Sequence, residues 1–284
     1  MCSSDLLSLS ASTWAPAAAG ANTPVTVTVS PSTVAWTAAS SQAWLTLSAD
    51  SGTGSGSVTL IAAETTSAFE RPATVTIGGQ TVTVTQAAGT NAFSLSSATW
   101  APVGAGATTS VTVTATYSDA PWTATSSEAW LTLSAASGTG SGSVTLTAAE
   151  TTSALARTAT VTIGGQTVAV TQAAGTNAFS LSSATWAPVA GGASTALAVT
   201  APYSDAPWTA TSDQAWLTLS AGSGTGSGSV TLTAASTTSL STRAATVTIG
   251  GQTGTGTQAA GALSLSESTW APAAAGANTD RKST

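Results

Sequence analysis

Along most of the chain, apolar residues alternate with threonine and serine at every second position. The pattern is clear in the middle of the sequence, where Val111, Val113 and Ala115, then Trp122 and Ala124, Leu131 and Leu133, Val144 and Leu146, Val161 and Ile163, and Val168 and Val170 alternate with mostly hydroxylated residues. A period of two sustained over a few residues describes half-buried strands, with one face packed inward and the other carrying hydroxyls to water. Glycine-rich stretches separate the strands. Ser137-Gly138-Thr139-Gly140-Ser141-Gly142 and the pair Gly164-Gly165 read as turns, because glycine supplies the positive φ that tight turns need. With a strand at Phe93 to Ser97, this predicts about seven short strands in roughly 86 residues, the size and rhythm of an immunoglobulin-like sandwich.

The same pattern recurs. Trp14, Trp100 and Trp186 lie 86 residues apart, as do Trp36, Trp122 and Trp208, and Trp44, Trp130 and Trp216. Arg71, Arg157 and Arg243 keep that step, and so do Gln86, Gln172 and Gln258. Trp270 follows Trp186 by 84, the link before it being two residues shorter. Self-similarity at a fixed period is the mark of a repeat architecture. The expected fold is all-β: three tandem immunoglobulin-like β-sandwich modules at 7–88, 93–174 and 179–260, and the first strand of a truncated fourth within 263–279. The links Gly89-Thr90-Asn91-Ala92 and Gly175-Thr176-Asn177-Ala178 are short, and Gly261-Ala262 is shorter. Links this brief predict a stiff rod rather than tethered beads.

The two ends stand apart from the repeat. Read back into codons, Met1-Cys2-Ser3-Ser4-Asp5-Leu6 fits GTG TGC TCT TCC GAT CT, and Asp280-Arg281-Lys282-Ser283-Thr284 fits GAT CGG AAG AGC ACA. These strings are reverse complements over most of their length and match a common short-read sequencing adapter. Residues 1–6 and 280–284 are therefore expected to be non-native, adapter-derived sequence. The only Met, Cys and Lys are Met1, Cys2 and Lys282, so what remains has no cysteine, lysine or histidine. That predicts no disulfide, thiolate metal site or redox motif.

Composition narrows the function. Only 6% of residues are charged and 42% are hydrophobic, enough to build a core. A net charge of −6 argues against nucleic acid, whose phosphates need clustered Lys and Arg. No apolar run reaches the length of a membrane span, so no membrane insertion is expected. Triad chemistry needs a base beside its nucleophile, and no His is present. Paired carboxylates could act as acid and base. Yet Glu64 and Glu150 align with Ser236, Asp119 and Asp205 with Thr33, and Glu128 with Gln42 and Gln214. A site used by every module would not change its carboxylates in this way. No Asp-rich calcium loop occurs, and the Gly-Thr-Gly-Ser-Gly stretch lacks the strand-to-helix context and Lys of a phosphate loop. The expectation is no enzyme, no catalytic residue, no metal and no cofactor.

The tryptophans are the candidate ligand platforms. Trp36, Trp122 and Trp208 open an alternating strand and read as structural core. Trp44, Trp130 and Trp216 directly precede Leu-Thr-Leu, so Trp and Leu point to opposite faces. They are read either as sheet cover or as exposed glycan platforms. Trp14, Trp100 and Trp186, before Ala-Pro, could plug one end of the sandwich, pack on a neighbouring module or serve as a second platform. Arg71, Arg157 and Arg243, the sole cations of their modules, read as structural residues that pack their stems and bond loop carbonyls.

The run PWTATSSEAWLTLSAASGTGSGSVTLTAAETTSALARTATVTIGGQTVAVTQAA, Pro121 to Ala174, resembles a BACON-type module. It carries a Trp-containing strand, a Trp-Leu-Thr, a glycine-rich turn, an Arg before a strand and a closing segment of TVTVTQ type. All three complete copies share the resemblance. It implies an all-β sandwich from a large bacterial or phage extracellular protein, with glycan or mucin as partners for some relatives. Two departures stand out: Thr65, Thr151 and Thr237 occupy a turn position where many relatives carry Asn, and a Cys often found before the Trp strand is absent.

Two functions follow as expectations: a spacer or adhesion stalk in a secreted protein or on a cell or virion surface, in contact with neighbouring modules of the same chain, or a glycan- or mucin-binding array. In the third module Val82 and Val84 of the first become Gly254 and Gly256, which should weaken its closing strand. Sequencing from a DNA library prepared without that adapter should replace the codons of 1–6 and 280–284. Finding the same codons there would show both ends to be genuine.

Overall fold

The computed structural model describes residues 6–263, and the expected start of a fourth module falls outside them except for its first residue. The first module has nine strands: β1 (Leu6–Leu9), β2 (Thr13–Trp14), β3 (Ala21–Ser30), β4 (Ala35–Ser40), β5 (Leu45–Leu47), β6 (Ser51–Thr53), β7 (Gly56–Ala62), β8 (Arg71–Ile77) and β9 (Gln80–Gln86). They form two sheets, in the orders β1-β3-β7-β5 and β2-β9-β8-β4-β6. All pairings are antiparallel except the short parallel contact of β2 with β9. The other two modules repeat this plan, from Phe93–Leu95 to Gln166–Gln172 and from Ser180–Leu181 to Gln252–Gln258. The fold is all-β, a series of immunoglobulin-like sandwiches. Among the described residues no helix is long and apolar enough to cross a membrane.

The alternation sets which side of each strand is dry. On β3, Val25, Val27 and Val29 are buried while the threonines between them are exposed, and on β9 Val82, Val84 and Gln86 point inward together. Each fully buried Val or Leu contributes about 1.5–3 kcal/mol. Trp36, Leu45, Leu60, Val75 and Ile77 complete one core, and each of the other modules has its own. The β8–β9 hairpin closes on Gly78 and Gly79, at φ 55° and 82°, the pair of positive values that a tight two-residue turn requires.

Nine strands replace the seven expected because Thr99–Trp100 forms a short strand of its own and part of the glycine-rich stretch is itself a strand. Ser137–Thr139 pairs with the Trp122 strand, placing Gly138 opposite Trp122. Only Gly140, at φ 63°, turns the chain there, and Gly142 already begins the next strand. Gly138 is glycine for steric reasons: a Cβ at that position would run into the Trp122 indole, as it would at Gly52 against Trp36 and at Gly224 against Trp208. The Trp122 Nε1 donates to the Gly140 carbonyl at 2.9 Å, so the ring and the turn fix each other.

The described residues fall into two contact units. The first two modules make one, except for the segment Thr152–Leu155, which groups with the third module in the other. In the third module the strand Gln252–Gln258 stays paired along its whole length despite Gly254 and Gly256. The missing side chains leave a cavity of about 130 Å³ lined by Trp186, Leu197, Leu232, Val247, Gly254 and Gly256 among others. A Cβ at Gly254 or Gly256 would meet nothing closer than 3.6 or 3.5 Å, so a side chain can begin at either position without a clash. Two buried Val side chains are worth about 3–6 kcal/mol together. Hydrogen exchange on the whole chain should therefore show the third module opening first. Gly254→Val with Gly256→Val should raise its protection to that of the second, and equal protection of all three modules in the parent would contradict this.

Candidate functional site

Each module concentrates its chemistry in one cluster, and hairpin geometry builds it. Counting outward from the Gly78-Gly79 turn, Arg71 on β8 stands directly across from Gln86 on β9. Gln86 has the same parity as Val82 and Val84, so the strand carries a primary amide into the core, where it is fully buried. Such a group is costly unless its hydrogen-bonding capacity is met. Its Oε1 accepts from Arg71 Nε at 2.6 Å, and its Nε2 donates to the carbonyls of Ala17 at 3.0 Å and Ala63 at 2.8 Å. Arg71 Nη2 donates in turn to the carbonyls of Ala63 and Glu64, at 3.1 and 3.0 Å. The guanidinium lies over the Trp44 ring, 4.4 Å from its centroid, a cation–π contact. Burial lowers the Arg71 pKa from its ordinary value, yet a guanidinium keeps its charge throughout the physiological range.

The second and third modules repeat the cluster. Arg157 lies 4.3 Å from the Trp130 centroid and donates to Gln172 at 2.7 Å, and Arg243 lies 4.4 Å from Trp216 and donates to Gln258 at 2.6 Å. Both glutamines reach two loop carbonyls, Gln172 those of Val103 and Ala149, and Gln258 those of Val189 and Ala235.

The sequence-derived candidates take these places. Trp36, Trp122 and Trp208 are buried in the cores. Trp44, Trp130 and Trp216 are half-buried, packed against the core and lie beneath an arginine. Trp14, Trp100 and Trp186 are half-buried in the short parallel strand and rest on the core edge. The structure thus brings Trp44 and its equivalents to Arg71 and its equivalents. Gln86, Gln172 and Gln258 were visible as a repeat but had no role assigned, although their parity within the closing strand marks them as inward-facing.

The changing carboxylates also find an explanation. Glu64, Glu150 and Ser236 are exposed, and each offers Arg only its main-chain carbonyl, so the side chain is free to differ. Likewise Gln42, Glu128 and Gln214 use main-chain atoms to bond Ser40, Ser126 and Ser212. Thr65 is buried and its hydroxyl accepts from the Ser67 amide at 3.2 Å. No group of three or more His, Cys, Asp or Glu that could hold a metal ion occurs among the described residues.

Separate from the cluster, an open groove runs beside each core tryptophan. In the second module Phe93, Trp122, Thr123, Ser137, Thr139 and the Gly164-Gly165 turn line it, and in the third Phe179 and Trp208 stand in the same places. The first module has Trp36 in its groove, with Leu7 at the position of Phe93.

The chain is thus a set of tandem β-sandwich modules with one arginine–tryptophan–glutamine cluster apiece. It belongs to the BACON family: the family described as "Putative binding domain, N-terminal" matches residues 34–87 and 120–173, and the "Viral BACON domain" matches 178–262. No curated protein matches it. Among solved structures, the GH5 xyloglucanase of Bacteroides ovatus in complex with a XXXG heptasaccharide is 21% identical over 31% of this chain and 19% of its own, with a TM-score of 0.28. The Yersinia pseudotuberculosis adhesin InvE is 16% identical over 59% of this chain and 58% of its own, with a TM-score of 0.34. A three-immunoglobulin-domain segment of titin is 6% identical over 90% of this chain and 99% of its own, with a TM-score of 0.40. The chain spans less than a fifth of the xyloglucanase's length.

The buried amide gives a direct test. Replacing it with an apolar group of similar size leaves the charged Arg Nε without its acceptor and removes one of the two hydrogen bonds at each loop carbonyl, at about 2–4 kcal/mol per module. Denaturant unfolding of a chain carrying Gln86→Leu, Gln172→Leu and Gln258→Leu should show that loss, whereas Thr74→Ala on the exposed face should leave stability within about 0.5 kcal/mol.

Proposed function

We propose that the chain is a non-catalytic run of modules acting as a spacer or adhesion stalk in a secreted or surface-displayed protein. One observation carries the reading. In every module the single arginine and its half-buried tryptophan are engaged with each other, with a buried glutamine and with main-chain carbonyls, so the most reactive side chains serve the module's own fold. The absence of histidine and the exposed, position-shifting glutamates agree with a lack of catalysis.

A glycan- or mucin-binding array is the second reading, and the grooves favour it. A sugar ring needs an apolar surface and a few hydroxyl partners, and Phe93 and Phe179 stand beside the exposed Thr123, Ser137 and Thr139 and their counterparts. Weak sites repeated along one chain would gain through effective concentration. The family description as a binding domain fits this reading as well.

Affinity electrophoresis separates the two. The parent chain should pass unretarded through gels containing mucin or plant polysaccharide. Trp44→Ala, Trp130→Ala and Trp216→Ala together should lower the unfolding midpoint, because each removes the ring beneath an arginine. Retardation of the parent, abolished by those three substitutions or by Phe93→Ala with Phe179→Ala while circular dichroism is unchanged, would establish the array instead.

A further inference from the structure

One carboxylate position is left unexplained by main-chain roles. Asp119 and Asp205 occupy the place of Thr33, and two residues earlier Tyr117 and Tyr203 occupy that of Pro31. In the first unit Asp119 reaches back to the module before it. Its Oδ2 accepts from the Ser67 hydroxyl at 2.5 Å and its Oδ1 from the Ala68 amide at 2.9 Å. The Ser67 hydroxyl is itself oriented by accepting from the Phe69 amide at 3.0 Å. Tyr117 lies on the linker: Gly89 is buried against its ring, and a Cβ there would enter that ring. The Gly89 amide donates to the Ser67 carbonyl at 3.0 Å, which ties the linker to the same loop.

The second unit repeats the arrangement. Asp205 accepts from the Ser153 hydroxyl and from the Ala154 amide, the latter at 2.9 Å, and Tyr203 fills the space beside Gly175. Hydrogen bonding, led by the Ser67 hydroxyl for Asp119 and by the Ala154 amide for Asp205, holds both carboxyls below the usual carboxylate range.

The receiving loop keeps its shape in the third module. The Ser239 amide donates to the Thr237 hydroxyl at 3.2 Å, as Ser67 does to Thr65, and the Gly261 amide donates to the Ser239 carbonyl at 2.7 Å, as Gly89 does to Ser67.

We propose that the loop at 65–69 with Gly89 is a docking socket for a following module that carries Tyr-Ser-Asp at its Tyr117–Asp119 position. A module built like the first, with Pro31-Ser32-Thr33, does not fit it. The socket and plug make the joint directional, and this goes beyond the spacer reading because a glycan-binding array would need the same joint.

Spin-label distances in the full chain, with Cys2→Ser throughout, test both halves of the proposal. Labels at Thr74→Cys and Thr160→Cys span the first joint, and a pair at Thr112→Cys and Thr160→Cys within the second module reports its integrity. The first-joint distribution should be narrow in the parent and at least twofold broader in Asp119→Ala and in Tyr117→Ala, with the internal pair unchanged. Asp119→Asn, which retains an acceptor for the Ala68 amide, should fall between. An Asp119→Ala distribution as narrow as the parent's would overturn the joint. Tyr117→Pro with Asp119→Thr, which gives the second module the residues of the first, should broaden the first-joint distribution at least twofold. A width equal to the parent's would overturn the choice of occupant.

Discussion

The structure of each module depends on burying a primary amide at the end of its closing strand. Strand alternation forces Gln86 inward, and an amide in an apolar core is stable only when both ends are bonded. One end takes Arg71, which then settles over Trp44, and the other takes the carbonyls of Ala17 and Ala63. Ala63 directly follows β7 in one sheet and Gln86 ends β9 in the other, so the amide fastens the two sheets together. In a sandwich without cysteine it takes the place of the covalent link between sheets found in antibody domains.

This scheme fixes main-chain positions and leaves many side chains free. The arginine reads the carbonyl of residue 64, 150 or 236 whatever its side chain, which is why Glu and Ser interchange there. Asp119 and Asp205 differ in kind. Their carboxylates touch the loop of the preceding module, so their presence follows position in the array rather than the needs of one sandwich.

The strands were legible because period-two alternation is a local signal, and the repeat gave it three times over. The Arg71–Gln86 pair was not read, although counting back from Gly78-Gly79 leads to it, since a two-residue turn sets the register of its hairpin. Gly138 was not legible. Its meaning lies in the Trp122 indole on a partner strand sixteen residues earlier, and a glycine in the alternating run Ser137-Gly138-Thr139-Gly140-Ser141-Gly142 reads locally as a turn. The role of Asp119 was hidden for a similar reason, because its partners Ser67 and Ala68 lie 52 and 51 residues away in a different module. Local patterns show which faces are dry, and contacts between separate elements decide which polar residues matter.

The arginine's engagement has a consequence for durability. Digestive proteases of the trypsin type cut after Lys or Arg by drawing that side chain into a deep acidic pocket. The described residues contain no lysine, and their three arginines are Arg71, Arg157 and Arg243. Each is clamped between an indole and a buried amide at the start of a paired strand, and Arg71 is followed by Pro72. To be cut, a module must first release its arginine from the contact that fastens its two sheets, so resistance to such enzymes is set by the stability of the fold itself.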